Sequence, residues 1–413
     1  MKGGVGADRR PDIHLLLDGA VLVSLVLTMV FAQLMLPILI GAIAFRYVVE
    51  PGRLLMDVKA LDRADLAVMA SLAAFCTYFL IAASLRWTPY DDVLIFRPRG
   101  VEHPLEWLSF TLFGLIAVLR MISMDRLAVL MDMVFVPAVG VSLLYAVGIY
   151  THLYVNIGAE EHACRNGLGV FNVNIMALFW AMMLGFGFAY FLTHATKQWM
   201  AWVLLGFGAF TLTLVTGSRM AIMAFALTAA LVALFMPGQR LRNILLVFGV
   251  FAVTCGAALW IAELLDCGIL DRFSRLPNAT DKEQSGSTAR RFELWLISLE
   301  ELRGNWIFGL GFKADAELSY PNAHIHNQYL SWLVWGGVPG LLLALIWLLA
   351  APLYGFAKSG LVGFTVAGAG IGFAGMNLAT DSILYFDQAM GIFLFYYALA
   401  IGLARTATRQ TAR

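Results

Sequence analysis

Long apolar runs separated by short polar segments recur along the whole chain. They cover roughly residues 65–85, 107–122, 127–149, 171–192, 199–216, 220–236, 244–263, 338–357, 361–379 and 383–404, each about 16–23 residues long. At about 1.5 Å rise per residue such runs span the hydrocarbon core of a bilayer as α-helices. The runs are continuous rather than alternating, which excludes a transmembrane barrel. Residues 14–48 would reach roughly 50 Å as one helix, too long for a single crossing. They read as two short helices meeting near Gln33; the alternative is one tilted helix with a polar extension. The expected fold is an all-α polytopic membrane protein of about twelve transmembrane helices.

Composition agrees with the pattern. The 413 residues are 61% hydrophobic and 13% charged, with mean hydropathy +0.79. Soluble domains carry about twice that share of charge. A net charge of +1 gives no electrostatic case for nucleic acid as a partner. The positions of the charges set the topology. With twelve spans and both termini inside, sixteen Lys and Arg lie inside and twelve outside, and seven of the twelve fall in one long loop that the positive-inside rule discounts. The expected organisation is about nine helices in 1–263, a large external loop at 264–325, three further helices in 326–404, and an internal tail at 405–413. The first apolar run lacks a small-residue cleavage site and reads as retained. Of the four cysteines, Cys76 and Cys255 lie within spans and behave as small hydrophobes. Cys164 and Cys267 fall in external segments, where an oxidising compartment would let them form a disulfide; the alternative is two separate thiols.

Polar chemistry concentrates in four external places. Thr216-Gly217-Ser218-Arg219 is a short turn in which the Arg219 guanidinium and the N–H groups of the next helix make an anion site. The stretch 289–302 has Phe292, Trp295, Leu299 and Leu302 at helical spacing, Ser287 or Thr288 to cap its start and Gly304 to end it. It reads as an amphipathic helix on the membrane surface. Arg290 and Arg291 stand at its start, and Arg291 shares a face with Trp295; paired arginines suit phosphate, or they face lipid headgroups. His324-Ile325-His326-Asn327 precedes an apolar helix that carries Trp332 and Trp335 and then breaks at Gly336-Gly337-Val338-Pro339-Gly340. A histidine there can act as a general base, bind a metal with Asp315 or Glu317, or cap the helix. The segment 150–174 carries His152, Glu160, Glu161, His162, Arg165, Asn172 and Asn174, and Asp381 stands alone at the external end of the last pair of spans. Arginines with loop aromatics point to a phosphorylated, polar substrate at the outer membrane–water boundary.

The run His326-Asn327, nine residues, then Gly337 resembles the signature of bacterial O-antigen ligases, in a superfamily with O-antigen polymerases and protein O-oligosaccharyltransferases. The turn at Ser218-Arg219 resembles that family's Ser-Arg turn. Arg291-x-x-x-Trp295 followed by Gly309-Leu310-Gly311 resembles its large-loop pattern, and Phe171-Asn172-Val173-Asn174 its polar entry to the middle spans. The resemblance covers nearly the whole chain. It implies a GT-C-like fold with amphipathic helices in a large periplasmic loop, in a bacterial inner membrane with the active site facing the periplasm. It implies a glycosyltransferase that takes a glycan on undecaprenyl diphosphate and moves it en bloc to a sugar hydroxyl of lipid A-core, with no metal and no nucleotide cofactor. On that reading His326 is the general base. Arg219, Arg291 and one of Arg165 or Arg290 counter the diphosphate charge. His324, Asn327, Asn174, Trp295 and Asp381 bind the acceptor or support the site, and membrane lipids surround the helices.

Three rivals stand at this level. A polymerase would use the same donor; its paired Arg-x10-Gly motifs are matched here only by Arg275 and Gly286. A protein O-oligosaccharyltransferase is usually longer, with an external domain after the last span, whereas this sequence stops at Arg413. A transporter or flippase would place charge at mid-span. The span centres are nearly free of it, Asp132 being the exception.

Overall fold

The computed structural model describes residues 51–85, 102–124, 173–193, 197–236, 240–265, 288–311, 325–378 and 387–411, with a few positions between 40 and 48 and isolated ones elsewhere. All regular structure among them is helical. The helices are α1 (Pro51–Lys59), α2 (Arg63–Leu85), α3 (Glu102–Ser123), α4 (Val173–Leu192), α5 (Gln198–Thr211), α6 (Arg219–Phe235), α7 (Arg240–Leu264), α8 (Thr288–Glu301), α9 (Gln328–Leu378) and α10 (Asp387–Thr411). Three of them, α2, α7 and α9, are long and apolar enough to cross a membrane; α3, α4, α5, α6 and α10 contain shorter apolar helices. Most of the expected spans 14–48 and 127–149 lies outside the described residues.

Helix α9 is two passes rather than one. Its backbone leaves helical geometry at Ser359 and Gly360, and the chain doubles back, so that the Tyr329 hydroxyl at its start donates to the Gly375 carbonyl near its end at 2.7 Å. It packs against α2, α4, α6 and α10. In the α2 half of the bundle an aromatic cluster fills the centre. Phe75 stacks on Trp347 at 4.4 Å between centroids and meets Trp107 and Trp332 edge-on. Helix association in lipid gains little from the hydrophobic effect, so close aromatic packing and shared hydrogen bonds carry the cohesion. One such bond runs from the Tyr397 hydroxyl to the Trp347 carbonyl, 2.9 Å, within this cluster.

The start of α2 shows how polar residues tie the helices at one end. Asp62 caps the helix: its Oδ1 accepts from the N–H groups of Ala64 and Asp65, and Asp65 Oδ2 accepts in return from the Asp62 N–H. This reciprocal capping satisfies donors that the first turn leaves unpaired. Asp65 is fully buried and also accepts from the Tyr354 hydroxyl at 2.8 Å, Lys358 Nζ at 2.9 Å and Arg405 Nη1 at 3.2 Å. Removing either cation would leave the buried carboxylate short of a partner, a costly state. Thus Lys358 and Arg405, which the charge pattern reads only as topology signals, also lock α9 and α10 onto α2.

The same cluster has a pH signature. Lys358 also pairs with Asp62. That ammonium group, with the N–H groups of Asp65 and Ala64, holds the Asp62 carboxyl below its ordinary value of 3.8. A lowered folded-state pKa means that the pair's contribution is complete above 3.8 and is lost as pH falls through the lower folded value. Asp62 is 59% exposed, so solvent screening keeps the contribution within about 1 kcal/mol. Asp62→Asn is therefore expected to reduce, by a small amount, the drop in melting temperature between pH 7 and pH 3. An unchanged drop in the variant would show that the pair contributes nothing.

Candidate active site at the entry to α9

The site end of the bundle is organised by a break in α9. Gly337 has φ 64° and ψ −166°, a region open essentially to glycine alone. Pro339 has no N–H to return to the Trp335 carbonyl. The break therefore frees the carbonyls of Val334 and Trp335 and the N–H of Val338 from the helical ladder. Each finds a partner in residues 306–311. Leu310 N donates to Val334 O at 2.6 Å, Gly311 N to Trp335 O at 3.2 Å, and Val338 N to Trp306 O at 2.8 Å. A strap that follows α8 thus completes the hydrogen bonding that the break leaves open. The approach is so close that a Cβ on Gly309 would stand 2.5 Å from both Gly337 N and Val334 O. The Gly309-Leu310-Gly311 and Gly336-Gly337 motifs are two halves of one joint. On its other side the break is held by the Tyr78 hydroxyl, which donates to the Gly336 carbonyl.

His326 stands immediately before α9 with φ 51°, the one positive φ among described residues other than glycine. Histidine enters the left-handed region more readily than most residues, yet such a conformation persists only where neighbours impose it. Two neighbours do. Ile325 is fully buried, and its carbonyl accepts from Trp295 Nε1 of α8 at 2.7 Å. Asn327 caps α9: its Oδ1 accepts from Leu330 N at 3.1 Å and its carbonyl from Ser331 N at 2.9 Å. His326 is left half-buried between these two anchors.

Helix α8 begins at Thr288, and Gly304 follows its end with φ 84°, as the capping residues lead one to expect. Its faces differ from the expectation. Leu294, Ser298 and Leu302 are buried and Arg291 and Trp295 half-buried, whereas Phe292 and Leu299 are exposed. The apolar positions belong to two stripes because the side chain that must reach Ile325 is Trp295. Arg291 lies one turn before it on the same side.

The Thr216–Arg219 turn is built by a single π turn, Leu212–Thr216, closed by Gly217 at φ 52°. Gly217 N donates to Leu212 O, and Thr216 Oγ1 accepts from Ser218 N. Such π turns concentrate at functional sites. Arg219 is the first residue of α6 and half-buried. Arg219, Arg291, His326 and Asn327 are all engaged in interactions rather than free.

The structure thus joins Trp295 to the His326 segment and sets Arg291 beside Trp295. Arg165, His324, Asp381, Cys164 and Cys267 lie outside the described residues, as do the side chains of Arg290 and Asn174. Among the described residues no group of three or more His, Cys, Asp or Glu is arranged to hold a metal. Cys76 and Cys255 are free thiols. The strap and the Tyr78 contact have no signature that links their partners in the sequence; only the glycines and Pro339 mark the places where a backbone would break.

Below the entry, an apolar cavity of about 340 Å³ lies between α6 and the two passes of α9. It runs from Tyr329 and Met376 to Phe235 and Phe364. Tyr329, which lines the cavity, is three residues from His326.

No curated protein matches the chain. A family model described as O-antigen ligase matches residues 203–345, from within α5 to the first pass of α9, and so takes in Arg219, Arg291, Trp295, His326, Asn327 and both halves of the glycine joint. Over that segment the chain is similar to the O-antigen ligase family.

Proposed function

We propose that the protein is an O-antigen ligase. It moves a glycan en bloc from undecaprenyl diphosphate to a sugar hydroxyl of lipid A-core, with inversion and without a metal, at the periplasmic face of a bacterial inner membrane. In this reading the chain spans the membrane twelve times and both termini are cytoplasmic. The observation that carries the proposal is the placement of His326. It is held in a strained conformation at a helix entry, inside the family-matched segment, three residues before Tyr329, which lines an apolar cavity suited to a lipid tail.

The chemistry needs few groups. The His326 imidazole takes the proton of the acceptor hydroxyl as the oxygen attacks the anomeric carbon. The bond from that carbon to the diphosphate breaks, and the diphosphate leaves with the electron pair. Arg219 and Arg291, with Arg165 or Arg290, stabilise the growing charge. A single displacement inverts the anomeric centre. Trp295 and Asn327 position the histidine, and His324, Asn174 and Asp381 serve the acceptor side.

Arginine offers a planar two-pronged donor that lysine lacks. Arg291→Lys is therefore expected to lower kcat/KM for transfer by about tenfold or more, a loss of at least ~1.4 kcal/mol in transition-state stabilisation. Full activity in the variant would remove the bidentate role. The function itself is tested by reconstitution with an undecaprenyl-diphosphate glycan and rough lipopolysaccharide. Transfer to lipopolysaccharide supports the ligase; chain growth on the polyprenyl carrier would make the protein a polymerase.

A further inference from the structure

Helix α8 and its strap carry a second apolar surface that the site does not use. Phe292, Leu296 and Leu299 recur at helical spacing on α8 and are exposed, Leu296 by 67%. Trp306, Ile307 and Phe308 follow in the strap, and Ile307 and Phe308 are 64% and 65% exposed. No described element covers these six side chains. Leaving large apolar side chains in water forgoes about 1.5–3 kcal/mol each. Glu293 and Glu300, also exposed, sit beside the stripe around the helix rather than within it.

What covers the surface follows from what it adjoins. The first pass of α9 presents Val338, Leu342, Ile346, Leu349 and Leu353 outward in one row. A row that runs the length of a spanning helix faces acyl chains. Val338 begins that row and donates its N–H to the Trp306 carbonyl. The Ile307-Phe308 tip therefore stands at the top of the lipid-facing row and extends it. Aromatic residues favour this boundary between acyl chains and headgroups.

We propose that α8 and the strap form a membrane-seated keel, with Phe292, Leu296, Ile307 and Phe308 inserted into the acyl-chain boundary of the leaflet at the site end. The keel is coupled to the chemistry by the Trp295–Ile325 hydrogen bond. It sets the depth of His326 relative to the bilayer surface, where the headgroup of a lipid-linked molecule lies. The keel does not depend on which glycan is transferred, or on transfer at all.

The test uses the full chain in phosphatidylcholine–phosphatidylglycerol vesicles. An environment-sensitive fluorescent amino acid is placed singly at Ile307, Leu296, Leu349 or Glu300. Lipids spin-labelled near the headgroup are expected to quench positions 307 and 296 several-fold more than aqueous iodide does. Position 349 should respond to deep-labelled lipid, which also reports correct insertion, and position 300 should respond to iodide. Iodide quenching at 307 and 296 equal to that at 300 would overturn the keel. So would shielding of both positions from lipid and iodide alike, which would mean that a second copy or another protein covers the surface.

Discussion

Replacing His326 by alanine is expected to slow glycan transfer by about 10²–10⁴-fold while the protein still inserts and folds. The folding half of this expectation comes from the anchors. Ile325 is buried and tied to Trp295, and Asn327 caps α9 through its own side chain. None of these contacts uses the imidazole. The catalytic half comes from the loss of the imidazole that takes the proton of the acceptor hydroxyl. Alanine also changes the backbone preference at a positive φ, so a companion variant separates the two effects. Asparagine enters the left-handed region readily but is no base. His326→Asn should match His326→Ala in transfer rate and equal or exceed it in thermal stability. Transfer near the unmodified rate in either variant would remove His326 as the base; recovery in asparagine alone would assign the defect to backbone strain.

The second large effect is expected at the glycine joint. Gly337→Ala should destabilise the protein by about 3 kcal/mol or more, read as a lower melting temperature of the purified protein in detergent. Two costs add. The backbone conformation is one that alanine rarely adopts, and the new Cβ would run into the Ile307 carbonyl and the Trp306 oxygen, main-chain atoms that cannot turn aside. Gly360 is the control. It has a similar conformation, φ 60° and ψ −146°, but open space around it. Gly360→Ala should cost only the backbone strain, about 1–3 kcal/mol. Equal losses at the two positions would mean that the strap yields and is not rigidly docked. Gly337→Ala should also impair transfer, because the strap and α8 together hold Trp295 against the His326 segment.

Local and long-range information separate along the helices. The apolar run at 65–85 becomes Arg63–Leu85 because Asp62 and Asp65 cap the helix ahead of its apolar part. The run at 244–263 becomes Arg240–Leu264 because basic residues continue a helix beyond its apolar centre. The apolar runs at 338–357 and 361–379 are the two passes of α9, but the helix starts ten residues earlier, at Gln328. The turn Asn327 makes by capping is what places His326 at its entry. The π turn before Gly217 has no marker in the amino-acid pattern. Its cause is a backbone arrangement that several residue types allow.

The chain's own residues thus determined that it forms apolar helices, where several of the described ones start and stop to within a few residues, and which polar groups are available between them. Those properties depend on neighbours a few positions apart: runs long enough to cross a bilayer, capping side chains, and glycine or proline where a ladder must break. The tertiary structure alone decided which partners the broken ladder would take, which stripe of α8 would be buried, and that Asp65 would gather Tyr354, Lys358 and Arg405 from more than 280 positions away. A freed carbonyl in an apolar setting must be paired, but the requirement does not name the donor. That donor is whichever backbone packing brings within reach, and here it is the strap from 306 to 311.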